Sequence, residues 1–314
     1  MFRIGSRGSA LALWQANFAA DALRAGGHEV EIQVIKTTGD RMQEPGFRAP
    51  DGVDGKGIFT KEIEEALAAG AIDLAVHSLK DLPTELDERF ELGAVPQRAD
   101  ARDVLVCADW LLMHTLPVGA RVGTTSPRRK AMLSAHRPDF VFVEVRGNVD
   151  TRLRKMEAGE CDALVLAAAG LDRLGLRAEW VRQRFAAEEV CPAPGQGALG
   201  IEVRAGDARV IAAVREVMED SDTRFCVTVE RTLLRALGGG CSVPIGAFCE
   251  RVADGWKLHA AVVSVDGEQM VTLDAVGATE DDAEGFGEWA AADLLGRGAG
   301  ELLMGGDSRV EFEY

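Results

Sequence analysis

Four stretches of the chain place small polar and basic residues where an apolar run gives way to a helical one. They are Gly5-Ser6-Arg7-Gly8-Ser9, His77-Ser78-Leu79-Lys80-Asp81, Gly123-Thr124-Thr125-Ser126-Pro127-Arg128-Arg129 and Arg146-Gly147-Asn148, the last with Arg152 close behind. In parallel α/β sheets, ligands bind beyond the carboxyl ends of strands, beside helix N-termini. Guanidinium groups suit carboxylates or phosphates there, because they stay charged and bind in bidentate fashion. The Ser126 stretch is the sharpest of the four. Ser126 suits an N-cap and Pro127 the first helical position. Arg128 and Arg129 then occupy the first turn, where the helix dipole disfavours cations. Either an external anion shares that helix end with them, or a nearby Asp or Glu pairs with them.

Two further residues could carry chemistry. Asp81 follows a buried strand and precedes Leu82-Pro83, so it is either an ordinary turn carboxylate or a carboxylate facing a cationic cleft. Cys241 sits in GGGCSVP, where three glycines permit close approach by another group and favour a reactive or modified thiol. His77 reads as a hydrogen-bonding strand end rather than as a metal ligand. The six cysteines form no C-x-x-C pair, so neither a zinc site nor a disulfide framework is expected. No Walker A sequence is present, nor a G-x-G-x-x-G in a strand–helix setting, so nucleotide binding has no positive support.

The elements that must position these residues alternate. A strand at Phe2–Gly5 leads to a helix from Ser9 to about Gly26, with Leu11, Trp14, Phe18 and Ala22 at helical spacing. Strands follow at 29–36 and 72–77, with a helix at 61–69 between them. After Asp100 the pattern restarts: strands near 103–107, 122, 141–145 and 162–168, and helices from Ser126 and over 151–158. Such alternation predicts α/β layers with mainly parallel pairing, and two runs suggest two similar domains. The last third differs. Runs at 258–265 and 270–273 flank Asp266-Gly267, a hairpin signal, and a helix follows with Trp289 and Leu294 on its expected inner face. The stretch 39–57, rich in Gly, Pro and Asp, reads as a long loop of the kind that serves as a lid.

Composition narrows the function classes. With 314 residues, 47% of them hydrophobic and 27% charged, the chain reads as a soluble protein of two or three domains. No apolar run approaches a membrane span, and the N-terminus lacks a signal-like start, so a cytoplasmic location without membrane association is expected. A net charge of −16 opposes nonspecific nucleic-acid binding, so no nucleic-acid partner is expected.

Taken in order, SRGSALALWQA, GKGIFTKEIEEAL, DLAVHSLKDLP, GTTSPRRKAML, EVRGNVDTRL, LAAAGLDRLGL, PAPGQGALGIEVR and GGGCSVPIGA resemble blocks of the porphobilinogen deaminase family along essentially the whole chain. The resemblance implies two α/β domains like those of type II solute-binding proteins plus a small C-terminal α+β domain. It implies residues 1–98 with 197–217 as domain 1, 99–196 as domain 2 and 218–314 as the domain that attaches the cofactor. That cofactor is a dipyrromethane, linked through Cys241. Asp81 is implied as the catalytic carboxylate. Lys80, Ser78, Thr124, Thr125, Ser126, Arg128, Arg129, Arg146, Gly147 and Gln196 are implied as cofactor contacts. Arg7, Ser9, Arg152, Arg173, Lys56 and Phe59 are implied at the substrate, the last two in the lid. Asp150 stands where the family commonly has a small residue.

The activity so implied is the stepwise condensation of four porphobilinogen molecules into a linear tetrapyrrole with loss of ammonia, by a monomer needing no metal. A solute-binding protein for a polyanion is the rival reading. The arginine junctions fit it, but the absence of a signal-like start and the GGGCSVP stretch oppose it.

Overall fold

The computed structural model describes residues 1–41, 60–109, 112–239, 244–277 and 282–304. The expected lid at 39–57 falls almost entirely outside them, as do Lys56, Phe59 and Cys241. The strands are β1 (Phe2–Ser6), β2 (Val30–Val34), β3 (Leu74–Ser78), β4 (Phe90–Ala94), β5 (Asp103–Val106), β6 (Arg121–Gly123) and β7 (Val141–Val143). There follow β8 (Ala163–Ala167), β9 (Val181–Arg184), β10 (Leu199–Arg204), β11 (Ile245–Val252), β12 (Gly255–Val263) and β13 (Met270–Gly277). Two compact units divide the chain: Met1–Ala99 with Ala198–Arg224, and Asp100–Gly197 with Phe225–Tyr314.

The first unit holds a five-stranded sheet of order β2-β1-β3-β10-β4, in which β1 runs parallel to β2 and β3 while β10 is antiparallel to both β3 and β4. The second unit holds a sheet of order β7-β6-β8-β5-β9, with β6 parallel to β7 and β8, and β5 antiparallel to β8 and β9. The two sheets thus share one topology, as the two alternating runs of sequence suggest. The antiparallel strand qualifies the expectation of mainly parallel pairing. It also matters for the site. Antiparallel pairing sets Leu199 opposite Ser78 in the first sheet and Asp103 opposite Ala167 in the second. The start of each antiparallel strand therefore lies at the carboxyl end of a parallel one, where ligands bind.

In the first unit, Ser9 caps the helix Ala10–Ala25, its side chain accepting from the Ala12 N–H at 3.3 Å. The buried stripe of this helix is Gln15, Ala16, Ala19, Ala20 and Leu23, not the Leu11–Trp14–Phe18–Ala22 series. Trp14 and Phe18 stack on each other at 5.8 Å and stay 37% and 38% exposed. At 3.6 residues per turn they lie roughly 130° or more from the centre of the buried stripe. The alanine face buries against Ile4, Leu74, Ile201 and Val203 of the sheet.

The second unit also carries the antiparallel sheet β11-β12-β13. Residues of β12 alternate between two cores: Leu258, Ala260 and Val262 pack with Val229, Leu233 and Leu294, whereas Ala261 and Val263 pack with Leu105, Met132 and Phe185. The β12–β13 hairpin turns at Gly267, whose φ of +80° is the left-handed conformation expected of that turn. The helix Ala283–Gly296 buries Phe286, Ala290, Ala291 and Leu294. Trp289, expected inside, is 51% exposed, because it lies beyond the edge of that stripe, stacked on Phe286 at 5.9 Å.

Candidate active site

The turn after β3 is shaped by backbone and apolar contacts. The Leu79 N–H donates to the Ala198 carbonyl at 3.0 Å, and Leu79 and Leu82 are buried on either side of Lys80 and Asp81. Gly200 packs closely under this turn: a Cβ there would stand 2.9 Å from Leu79 Cδ1 and 3.0 Å from Leu92 Cδ2, so a side chain would make those leucines shift. Gln15 Nε2 donates to Ser78 Oγ at 2.8 Å, and the buried His77 Nε2 meets Glu202 Oε2 at 3.0 Å. The result is an anchored turn that presents Asp81 to solvent; among the described residues Asp81 has no ion-pair partner. Lys80 beside it is half-buried. Arg7 donates through Nε and Nη2 to Asp40 Oδ1, at 3.1 and 2.6 Å. Asp40 also accepts from Thr37, and together these bonds outweigh burial and hold its carboxyl below the ordinary range. Ser9 serves as the helix cap.

The second unit gathers more of the expected residues. Ser126 caps the helix Pro127–His136, accepting from the Arg129 N–H at 3.4 Å, and Thr124 Oγ1 accepts from the Ser126 N–H at 3.2 Å. Arg128 and Arg129 are nearly fully buried, and the sequence did not reveal their partner: Asp103, at the head of β5. Arg128 Nη2 donates to Asp103 Oδ2 at 2.7 Å, and Arg129 donates to Oδ1 through Nε at 3.0 Å and Nη2 at 2.7 Å. Gln196 Nε2 donates to the same Oδ1 at 2.9 Å and to the Ala101 carbonyl at 2.7 Å. Arg128 also donates to the Cys191 carbonyl, and Arg129 Nη1 to the Val165 carbonyl at 3.0 Å. Burial opposes a charge on Asp103, but the two guanidiniums outweigh it and hold the carboxyl far below the ordinary range.

Taken by themselves, Arg128, Arg129 and Asp103 carry a formal charge of +1. A signal for Asp103 was present: it opens the otherwise apolar run DVLVC, and a charge heading a fully buried strand requires a buried counter-charge.

Three further basic residues of this unit make other contacts. Exposed Arg146 pairs with Glu144 at 3.0 Å. Arg152 Nε donates to the Gly147 carbonyl at 2.8 Å, and Gly147 has φ +121°, where a Cβ would also stand 2.8 Å from Thr151 Cγ2. Arg173 Nη2 donates to the Gly197 carbonyl at 2.7 Å, and burial lowers its guanidinium to about 10. Thr125 is half-buried beside Thr124.

Residues 2–212 match the family model "Porphobilinogen deaminase, dipyromethane cofactor binding domain", and residues 224–296 match "Porphobilinogen deaminase, C-terminal domain". The chain belongs to the porphobilinogen deaminase family. It is 45% identical over 314 residues to the porphobilinogen deaminase of Mycobacterium tuberculosis, covering 97% of this chain and 99% of that protein. Over 312 residues it is 44% identical to that of Mycolicibacterium gilvum, covering 96% and 98%. Among solved structures it is similar to an ABC transporter periplasmic substrate-binding protein from Coxiella burnetii, with a TM-score of 0.44, 16% identity, and 69% and 92% of the two chains covered. Family membership rests on the sequence matches. Porphobilinogen deaminases are transferases of tetrapyrrole biosynthesis, and the larger matched domain is the one that binds their dipyrromethane cofactor.

Proposed function

We propose that this chain condenses four porphobilinogen molecules stepwise into a linear tetrapyrrole, with Asp81 as the catalytic carboxylate and Cys241 as the attachment point of the dipyrromethane. The observation that carries the site reading is the excess positive charge of the Arg128–Asp103–Arg129 group at the carboxyl end of β8. A dipyrromethane bears acetate and propionate groups on its rings, and a buried group with one unneutralised cation fits a carboxylate. When bound, the cofactor supplies a pyrrole carbon nucleophilic enough to form the new carbon–carbon bond.

The protein's own part is to orient and to stabilise charge. Arg128 and Arg129, held in place by Asp103 and Gln196, bind carboxylate side chains, while Thr124, Thr125 and Ser126 offer hydroxyls at the same helix end. In this reading Ser78, Lys80, Arg146 and Gly147 are further cofactor contacts, and Arg7, Ser9, Arg152 and Arg173 are substrate contacts. The Arg7–Asp40 and Arg146–Glu144 pairs then exchange an internal carboxylate for a ligand one. As ammonia leaves the substrate's aminomethyl carbon, positive charge develops, and Asp81 stabilises it electrostatically while accepting hydrogen bonds from pyrrole N–H groups.

The three-domain division, a cytoplasmic location, a monomeric state and the absence of a nucleic-acid partner belong to the same reading. No helix among the described residues is long and apolar enough to cross a membrane. Intact mass tests the reading directly. Wild type should exceed the chain mass by one dipyrromethane, and Cys241→Ser should match the chain mass and give no colour with an aldehyde reagent for pyrroles. Unmodified wild type, or normal loading of the serine variant, overturns it.

A further inference from the structure

The segment Cys191–Gln196 serves the arginine group twice: its Cys191 carbonyl accepts from Arg128, and its Gln196 amide bonds Asp103. It forms neither helix nor strand, so its position must be imposed by its neighbours. Contacts with the C-terminal part of the same unit impose it, among them the bond from Cys191 Sγ to the His259 carbonyl at 3.7 Å. The fully buried Glu230, on the helix Ser221–Ala236, accepts from the Gly195 N–H at 2.7 Å with Oε2 and from the Cys249 N–H of β11 at 2.8 Å with Oε1. The Ala247 N–H of β11 donates to the Pro192 carbonyl at 2.9 Å. Gly246 approaches so closely that a Cβ there would stand 2.6 Å from Cys191 Cβ and 2.7 Å from its carbonyl oxygen.

We infer that Glu230 is a positioning residue for the reaction. It locks β11, the strand that follows Cys241 in the chain, to Gly195, and so sets where Gln196 and the Arg128–Asp103–Arg129 group stand. A carboxylate is required because both bonded groups are backbone donors. An amide could accept from one, but would turn its own N–H₂ towards the other and leave a buried donor unsatisfied. Gly246 supports the same registration from the strand side, since any side chain there would push Cys191 away. This inference rests on the reading of the arginine group as a carboxylate cradle.

The test is a coupled set of holoenzyme variants, measured for melting temperature, kcat and KM for porphobilinogen. Glu230→Gln should raise KM by about fivefold or more, as loss of one buried hydrogen bond at a binding group does. Gln196→Ala should raise it similarly, and the double variant should stay within about twofold of the worse single one, because both act through the same contact. A merely structural role for Glu230 would lower the melting temperature and the active fraction without touching KM or its coupling to Gln196. Effects that multiply, or a folded Glu230→Gln with KM within about twofold of wild type, overturn the inference. Should Glu230→Gln fail to melt cooperatively, Gly246→Ala is read in its place, with and without Gln196→Ala. If Gln196→Ala itself leaves KM unchanged, the cradle reading falls and this inference with it; if only Glu230→Gln does, the cradle stands.

Discussion

Arg129 and Asp103 are 26 residues apart in sequence, yet Arg129 reaches one oxygen of Asp103 through two nitrogens, at 3.0 and 2.7 Å, with both side chains buried. Arg128 takes the other oxygen at 2.7 Å. Of the two readings their sequence allows, the structure shows the carboxylate partner of the arginines that open the helix Pro127–His136: Asp103, one charge against their two. The external anion belongs to the proposed cradle.

Removing one arginine should abolish the excess. Arg129→Leu or Arg128→Leu is expected to impair cofactor loading and raise KM, each losing charge-assisted bonds worth ~1.5–3 kcal/mol. Arg129→Lys should recover only part, because an ammonium cannot span Asp103 and the Val165 carbonyl with the planar fork that does so now. Intact mass and steady-state kinetics provide the check. Full loading and wild-type kinetics in both leucine variants would refute the cradle.

Asp103 also makes a prediction about acid. Its carboxyl is depressed in the folded protein by Arg128 and Arg129, against the opposing effect of burial. The unfolded chain binds that proton at about 3.9. The stabilisation is therefore complete above that value and is lost progressively as pH falls below it towards the folded one. Asp103→Asn should be much less stable than wild type at neutral pH, because it leaves two buried cations uncompensated, a change of ~3–5 kcal/mol. The gap should narrow as pH drops below about 3.9, where the unfolded wild-type chain takes up a proton that folded Asp103 does not. Denaturant melts of both proteins across that range decide it, and a gap constant with pH counts against an ionised Asp103.

Asp81 should matter to chemistry and little to folding, since it is exposed on a turn held by Leu79 and Leu82. Asp81→Asn keeps the shape and removes the charge, so single-turnover ammonia release from cofactor-loaded protein should fall about 100- to 1,000-fold with an unchanged melting temperature. Asp81→Glu, which keeps the charge one methylene away, should retain weak activity. Wild-type ammonia release by folded, loaded Asp81→Asn would make Asp81 a turn residue only.

Much of this was legible in the residues themselves, because local rules act over a few positions. Ser126 and Pro127 announce the helix start they form, Asp266-Gly267 announces the β12–β13 turn, and the two alternating runs become two sheets of one topology. The eight ordered blocks carried the family. What local rules could not supply was which side of a helix meets the sheet, and which distant residue meets a buried charge. The helix Ala10–Ala25 turns its alanines inward because they allow close approach, leaving Trp14 and Phe18 outside; Trp289 is excluded in the same way. The roles of Asp103 and Glu230 follow from strands and helices meeting far along the chain: β5 runs against β8 and so delivers Asp103 to the arginines, and Glu230 meets Gly195 across 35 residues. A buried charge is tolerable only where the fold supplies its partner, and that partner is chosen by strand direction and packing, which no short stretch of sequence encodes.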